Sequence, residues 1–384
     1  MTAADGSDVL LVDVQLLDAG GARIGWLLTR DGRIEATGTG PAPDAPAGTT
    51  LVSGVGGVLV PGFTDLHLHG GGGAAFDEAD ADAVRAIAAT HRAGGTARFL
   101  ASLVSAPLSR LEATLTRLRD LASAVPGLLG VHLEGPFLAP SRAGAHDPAA
   151  LTVPTPDAVD RLLAAGDGLV RSITVAPELP GGLDAVARFA DAGVVVAVGH
   201  TEADYRSARD AFDAGARLVT HAFNAMPGLA HRKPGPIAAA LDDERVVLEL
   251  ILDGVHVHPA LARLLFTAAP GRVALVTDAV AATGRPDGSF LLGGLDVTVS
   301  GGRATLTGTD TLAGSTLTTA AALANAVAAG IEPSAAVAAL TTVPARVLGA
   351  GSEIALLAPG APADLVLLDE GYRVQRVWSG VSGR

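Results

Sequence analysis

Val131-His132-Leu133-Glu134-Gly135-Pro136-Phe137 is the stretch from which the architecture can be read. The apolar run 128–133 has the length of a strand, it ends on the carboxylate of Glu134, and Gly135-Pro136 stops it. A carboxylate at the end of a buried strand is costly unless a cation compensates it. Glu134 could equally cap the next loop or pair with an arginine, so this stretch alone leaves both possibilities open.

Working outward, the same pattern recurs on both sides. Upstream, Phe63-Thr64-Asp65-Leu66-His67-Leu68-His69 precedes four glycines, Gly70 to Gly73. His67 and His69 are two apart, so on a strand they point to one side; a histidine pair in a turn would be spelled the same way. Strand-like runs follow at 96–102, 128–134, 170–176, 194–199, 217–220, 246–252 and 272–277. Between them lie helical patterns at 82–92, 108–123, 155–165, 182–192, 203–214, 235–241 and 259–268. Eight strands alternating with helices predict an α/β fold, a (β/α)8 TIM-like barrel. In such a barrel the active site gathers at the carboxyl ends of the strands. The polar residues there are His67 and His69 on the first, Glu134 on the third, His200 on the fifth, His221 on the sixth and Asp278 on the eighth. The strand interiors are otherwise almost purely Val, Leu, Ile and Ala.

The ends of the chain read differently. Short strands at 9–12, 23–29, 33–37 and 57–60 precede the barrel, and 360–369 and 376–379 follow it. Between barrel and tail come strand-like runs at 290–292, 296–300 and 303–307 and helical ones at 318–330 and 334–339. The simplest arrangement joins both ends in a small β-sandwich domain, residues 1–60 with 353–384, beside a barrel of 61–352.

Composition narrows the chemistry. Of 384 residues 49% are hydrophobic and 17% charged, enough for a large core. With no cysteine, disulfides, thiolate nucleophiles and zinc–thiolate sites are excluded, and a reducing cytoplasm fits. A net charge of −13 argues against nucleic-acid or anionic-membrane partners. No apolar run is long enough to span a bilayer and no signal-peptide pattern opens the chain, so a cytoplasmic location is expected. Of 27 basic residues only Lys233 is a lysine, and it lies in the loop His231-Arg232-Lys233-Pro234-Gly235. Mechanisms that need a strand-end lysine are therefore disfavoured.

Glu134, His200 and His221 offer one carboxylate and two imidazoles, a common ligand set for a catalytic Zn²⁺ or Fe²⁺. His67 and His69 could hold a second ion, Glu134 bridging, with the pair roughly 3.5–4 Å apart. Such a centre ionises water near neutral pH, and Asp278 is placed to take its proton and hand it on. That chemistry is hydrolysis of a carbon–nitrogen bond or a related carbonyl attack. Asp278 could instead cap a helix. Backbone amides at Asn224-Ala225, with Arg232 nearby, could hold a phosphate or carboxylate, or form an ordinary loop. His146 and His256 lie beyond strand ends and could polarise a carbonyl or contact an anion. His91 and His231 are expected to be solvated, and His132 to be hydrogen-bonded in the core.

The motifs Asp65-Leu66-His67-Leu68-His69-Gly70, His132-Leu133-Glu134-Gly135-Pro136-Phe137, Gly199-His200-Thr201, Thr220-His221-Ala222-Phe223-Asn224-Ala225-Met226, Asp253-Gly254-Val255-His256 and Thr277-Asp278-Ala279 closely resemble the N-acetylglucosamine-6-phosphate deacetylase family of amidohydrolases. The resemblance runs from about Val9 to the end of the chain and implies a barrel plus β-sandwich, usually a homodimer. It implies that Glu134, His200 and His221 are the primary metal ligands and Asp278 the catalytic acid/base. It puts His146, with Ala145, at the acetamido end of the substrate. Asn224, Ala225 and Arg232 would contact substrate and phosphate, His256 would add a further contact, and the backbone of Leu312, Ala313 and Gly314 would touch the sugar. Some members carry Gln and Asn where this chain has His67 and His69 and bind one metal; keeping both histidines implies one or two divalent ions here. The reaction implied is hydrolysis of N-acetyl-D-glucosamine 6-phosphate to D-glucosamine 6-phosphate and acetate, in amino-sugar catabolism or cell-wall recycling. Deacetylation of the galactosamine epimer, another amidohydrolase activity and a non-catalytic paralogue are the alternatives.

Overall fold

The computed structural model describes residues 8–350 and 356–380. Eight parallel strands follow one another around the barrel in chain order: Phe63–Leu68, Thr96–Val104, Leu128–Glu134, Val170–Val175, Val195–Val198, Leu218–Val219, Val247–Ile251 and Val273–Val276. All eight expected strands are present. Buried on both sides, they are near-continuous apolar runs, as parallel strands under helices must be. Three of the helices between them start where a short polar side chain accepts an otherwise unpaired N–H: Asp80 from Ala83, Thr155 from Ala158, Asp204 from Ser207. The first and eighth strands close the barrel at their carboxyl ends. There Asp278 N–H donates to the His67 carbonyl at 2.8 Å and His69 N–H to the Ala279 carbonyl at 2.7 Å. Below them the buried Asp65 carboxylate accepts the Thr277 hydroxyl at 2.6 Å and the His67 N–H at 3.2 Å. This clamp sets His67, His69 and Asp278 side by side.

Both ends of the chain build one seven-stranded sheet. Val374–Trp378, Leu365–Leu368, Val58–Pro61, Val9–Asp18, Gly21–Arg30 and Arg33–Gly38 are neighbours in that order, with Thr50–Ser53 paired to the first half of Val9–Asp18. The long strand changes partner at the Leu11/Val14 irregularity, where Asp13 has φ 54°. Alternate residues face opposite ways. Leu59, Leu365 and Leu367 pack in the sheet's own core with Leu16, Leu27 and Trp378. Val58, Val60, Val366 and Leu368 pack into the core of the barrel. The buried pair Arg98–Asp364 ties the second barrel strand to this sheet. The chain leaves the sheet at Pro61 and enters the barrel at Phe63; the expected return boundary at 353 lies outside the described residues.

A three-stranded meander, Gly288–Leu292, Leu295–Ser300 and Arg303–Leu306, follows the eighth strand and has a third small core, shared with Val104, Val280 and Ala313. One expectation fails in the helix Ala81–Ala93. His91 is not solvated but buried, and its Nε2–H donates to the Gly70 carbonyl at 2.8 Å, pinning the glycine loop after His69.

Candidate active site

Strand ends deliver the side chains. Glu134 is the last residue of the third strand, and the turn beyond it admits only glycine: Gly135 has φ 87°, and a Cβ there would lie 2.2 Å from Ser105 Oγ. His200, His221 and Asp278 stand two residues beyond the ends of the fifth, sixth and eighth strands, with φ 47°, 27° and 50°. Left-handed backbone at non-glycine residues is strained, and such strain concentrates at functional sites. Here it turns each chain inward at the end of its strand, so that three side chains reach one spot.

Glu134 Oε1, His200 Nε2 and His221 Nε2 form a triangle with edges of 3.0, 3.0 and 3.1 Å. Glu134 Oε2 lies 3.1 Å from His69 Nε2, and His67 and His69 meet at 3.1 Å between their Nε2 atoms. Asp278 Oδ1 closes this second group, 3.2 Å from His69 Nε2 and 3.5 Å from His67 Nε2. Glu134 therefore belongs to both groups.

The protons on the rings decide what these distances mean. His200 Nδ1 is 2.7 Å from the Arg142 carbonyl, which can only accept. The proton of a neutral His200 ring is thus on Nδ1, and Nε2 turns a lone pair toward the Glu134 oxygen and His221. His200 Nε2 and Glu134 Oε1 thus face each other as acceptors at 3.0 Å and repel unless a proton or cation sits among them, and His221, whose Nδ1 has no partner among the described residues, is free to turn a lone pair there too, so the donor set fits a divalent ion. One carboxylate and two imidazoles, with room left over, suit zinc or iron. His146 has the opposite polarity. The Ser105 N–H donates to its Nδ1 at 3.1 Å, so its proton is on Nε2, 3.2 Å from Glu134 Oε2. Although His146 is close enough to join a ligand cluster with Glu134 and His200, its inward nitrogen is a hydrogen-bond donor. His132, as expected, is spent in the core, between Ser102 Oγ at 3.0 Å and Thr174 Oγ1 at 2.9 Å.

Electrostatics follow from burial. Burial alone would neutralise every group here. It pulls His146 down, only partly opposed by Glu134. Against burial, Glu134 and Asp278 hold the His67 ring well above its ordinary value, and hydrogen bonds donated to Asp278 and Glu134 carry His69 up to about 9. Burial likewise works to raise Glu134 and Asp278, but the neighbouring imidazoles keep Glu134 well below the carboxylate range and Asp278 at about 2. Two ionised carboxylates survive in this cup because positive charge surrounds them, a role a bound cation fills as well as protonated rings do.

A cavity of about 340 Å³ opens above these groups. His69, Glu134, His146, His200, His221 and Asp278 form its floor, and Ala145, Asn224, Ala225, His256, Leu312 and Gly314 stand around it. His67 lies beneath the floor, fully buried, and Ala313 is buried behind the wall. Arg232 is not brought to the cavity: the Ala230–Lys233 bridge folds its loop on itself, and Arg232 is exposed. Arg142, which sequence reasoning passed over, does line the cavity; its guanidinium is held by Glu202 at 2.7 Å. Glu249 was also missed. It is the lone carboxylate in the seventh strand, 2% exposed, and no pattern of spacing singles it out.

Comparison with known proteins gives three findings. The sequence pattern of the amidohydrolase family matches residues 58–382. Among curated relatives, the N-acetylgalactosamine-6-phosphate deacetylase of Escherichia coli O157:H7 is 39% identical over 325 residues, 84% of this chain and 86% of that protein. The N-acetylglucosamine-6-phosphate deacetylase of Bacillus subtilis is 35% identical over 300 residues, 76% and 75% of the two chains. Among solved structures, a point mutant of N-acetyl-D-glucosamine-6-phosphate deacetylase from Mycobacterium smegmatis, in complex with N-acetyl-D-glucosamine-6-phosphate, superposes with a TM-score of 0.91 at 44% identity, covering 98% of each chain.

Proposed function

The chain belongs to the amidohydrolase family, and we propose that it hydrolyses N-acetyl-D-glucosamine 6-phosphate to D-glucosamine 6-phosphate and acetate. The observation that carries this reading is the polarity of the cup. The Glu134 carboxylate and the His200 lone pair converge on a cation position that His221 Nε2 also faces, while His146 presents an N–H and Asp278 an ionised carboxylate to the same cavity. The relatives that share the whole barrel act on amino-sugar 6-phosphates by name.

Glu134, His200 and His221 would hold zinc or iron, with His67, His69 and Asp278 in reach of a second ion. Such ions supply Lewis acidity and lower the pKa of water at the site. The rest falls to the side chains. The Asp278 carboxylate accepts the proton of the attacking water and delivers it to the departing amine nitrogen. His146 Nε2–H donates to the acetamido oxygen as negative charge builds there, a preorganised donor in a dry wall. Ala145 and the Leu312–Gly314 backbone pack the sugar. The Asn224–Ala225 backbone and His256 hold the phosphate. The protein is proposed to be cytoplasmic and homodimeric, as the resemblance implies; no helix among the described residues is long and apolar enough to cross a membrane.

The test is acetate release from N-acetylglucosamine 6-phosphate, its galactosamine epimer and free N-acetylglucosamine, with metal analysis on the same sample. Preference for the phosphorylated glucosamine compound is expected. A faster galactosamine reaction would move the assignment to the epimer, the second reading that the E. coli relative favours. Equal rates with and without phosphate would overturn the phosphate role.

A further inference from the structure

Glu249 is a buried carboxylate that the mechanism does not use. It stands in the apolar run 246–252, two residues before Ile251, which lines the cavity. The period of a strand puts both on the inner face of the barrel wall, with Glu249 one layer deeper. Among the described residues it has no arginine or lysine partner. A carboxylate so placed costs several kcal/mol unless donors surround it. Two do. Its Oε2 lies 3.4 Å from His67 Nδ1 and accepts the His221 N–H at 3.3 Å. Among the described residues His67 Nδ1 has no other partner. The nearest ring, His132, has its centroid 4.5 Å away, and both its nitrogens are engaged by Ser102 and Thr174.

We propose that Glu249 is the positioning residue of the cation site formed by His67, His69, Glu134 and Asp278. By holding the proton of His67 on Nδ1 it leaves Nε2 as a lone pair, and by gripping the imidazole it aims that lone pair at Glu134 Oε2 and Asp278 Oδ1. Carboxylates behind metal-ligating histidines fix the tautomer and raise ligand basicity, and removing one weakens metal binding about 10–100-fold. The same oxygen anchors the backbone of His221, a ligand of the other group. That bond from the His221 N–H is one a glutamine amide oxygen can also accept, so the charge of Glu249 is felt at His67. The proposal rests on the reading that cations occupy the mouth, but not on the substrate.

The test is calorimetric titration of the metal-stripped, full-length protein with Zn²⁺, in the wild type, Glu249→Gln, His67→Gln and the double variant. The amide keeps the shape and loses the charge. In Glu249→Gln the dissociation constant of the second equivalent should rise about 10–100-fold, with the first equivalent changed about twofold or less. His67→Gln should abolish the second equivalent, and adding Glu249→Gln to it should change nothing more, because the two act as one unit. A purely structural role would instead weaken both equivalents and persist in the His67→Gln background. That result, an unchanged second equivalent, or a wild type that takes up only one ion would each overturn the proposal. If Glu249→Gln does not fold, the ¹⁵N ring shifts of His67 in the zinc-loaded wild type decide: a protonated Nδ1 supports it and a protonated Nε2 overturns it. Normal zinc behaviour without acetate release would instead bring down the functional reading alone.

Discussion

The two ends of the barrel handle their polar groups in opposite ways. At the amino end guanidinium groups meet backbone carbonyls. Arg272 Nη1 donates to the Ala240, Asp243 and Val246 carbonyls at 3.0, 3.1 and 2.8 Å, and Arg217 Nη1 to Phe212 and Ala216 at 2.8 and 2.7 Å. At the carboxyl end His200 Nε2 faces Glu134 Oε1, acceptor to acceptor, and His200, His221 and Asp278 sit on backbone bent into left-handed conformations. Matched polarity closes a structure. Mismatched polarity, held in place by the same strands, marks where something else must bind. Side chains at the mouth should accordingly govern turnover and metal content, and those at the base stability alone.

The sharpest break between the ends is Asp278→Asn. Turnover should fall about 10²–10⁴-fold while metal content persists, because a proton carrier is lost and not a whole ligand set; acetate assays with elemental analysis check it, and undiminished turnover would refute the assignment. At the base, Asp364→Asn leaves Arg98 buried beside a neutral partner. It should cost about 3 kcal/mol in urea unfolding, with turnover per folded molecule unchanged. Returning to the mouth, replacing His67 and His69 by Gln and Asn should remove the second ion and lower turnover no more than about tenfold; loss of both ions would show that the two groups are not separable.

The smallest effect belongs to Asp243, whose carboxyl the Arg245 guanidinium holds at about 2 against an ordinary 3.8. A depressed carboxyl stabilises the fold above its unfolded value and ceases to do so as pH falls through its folded one. Asp243→Asn should therefore lower stability by about 1 kcal/mol at pH 7, the solvent-facing guanidinium being screened. The gap between wild type and variant should close from about pH 4 to pH 2. A gap independent of pH would mean that packing, not charge, is at work.

How far the sequence reveals this contrast depends on what kind of signal each residue leaves. The barrel was legible because buried parallel strands are apolar throughout, and a histidine or carboxylate ending such a run stands out. The strand Thr50–Ser53 was missed because it is mostly exposed and lacks alternation. The helix Thr342–Val347 was missed because Pro344 and its β-branched neighbours speak against a helix. His91 and Glu249 show the harder limit. Each has a partner distant in sequence, the Gly70 carbonyl and the His67 ring, and a single polar residue on a helix or strand says nothing about such partners. Arg232 shows the converse: a motif can name a residue without saying that its loop folds away from the cavity.

The terminal sheet has a consequence for how the protein is made. The strand Val58–Pro61 takes as its neighbour Leu365–Leu368, some three hundred residues later. At about 5–20 residues per second, a ribosome needs roughly 15–60 s to supply that partner. Throughout that interval Val58 to Val60 is an unsatisfied edge, a ready template for the wrong chain. The earlier-made strands are therefore completed by later ones, and the nascent polypeptide must be kept apart from its own copies until Leu365 to Leu368 has been made.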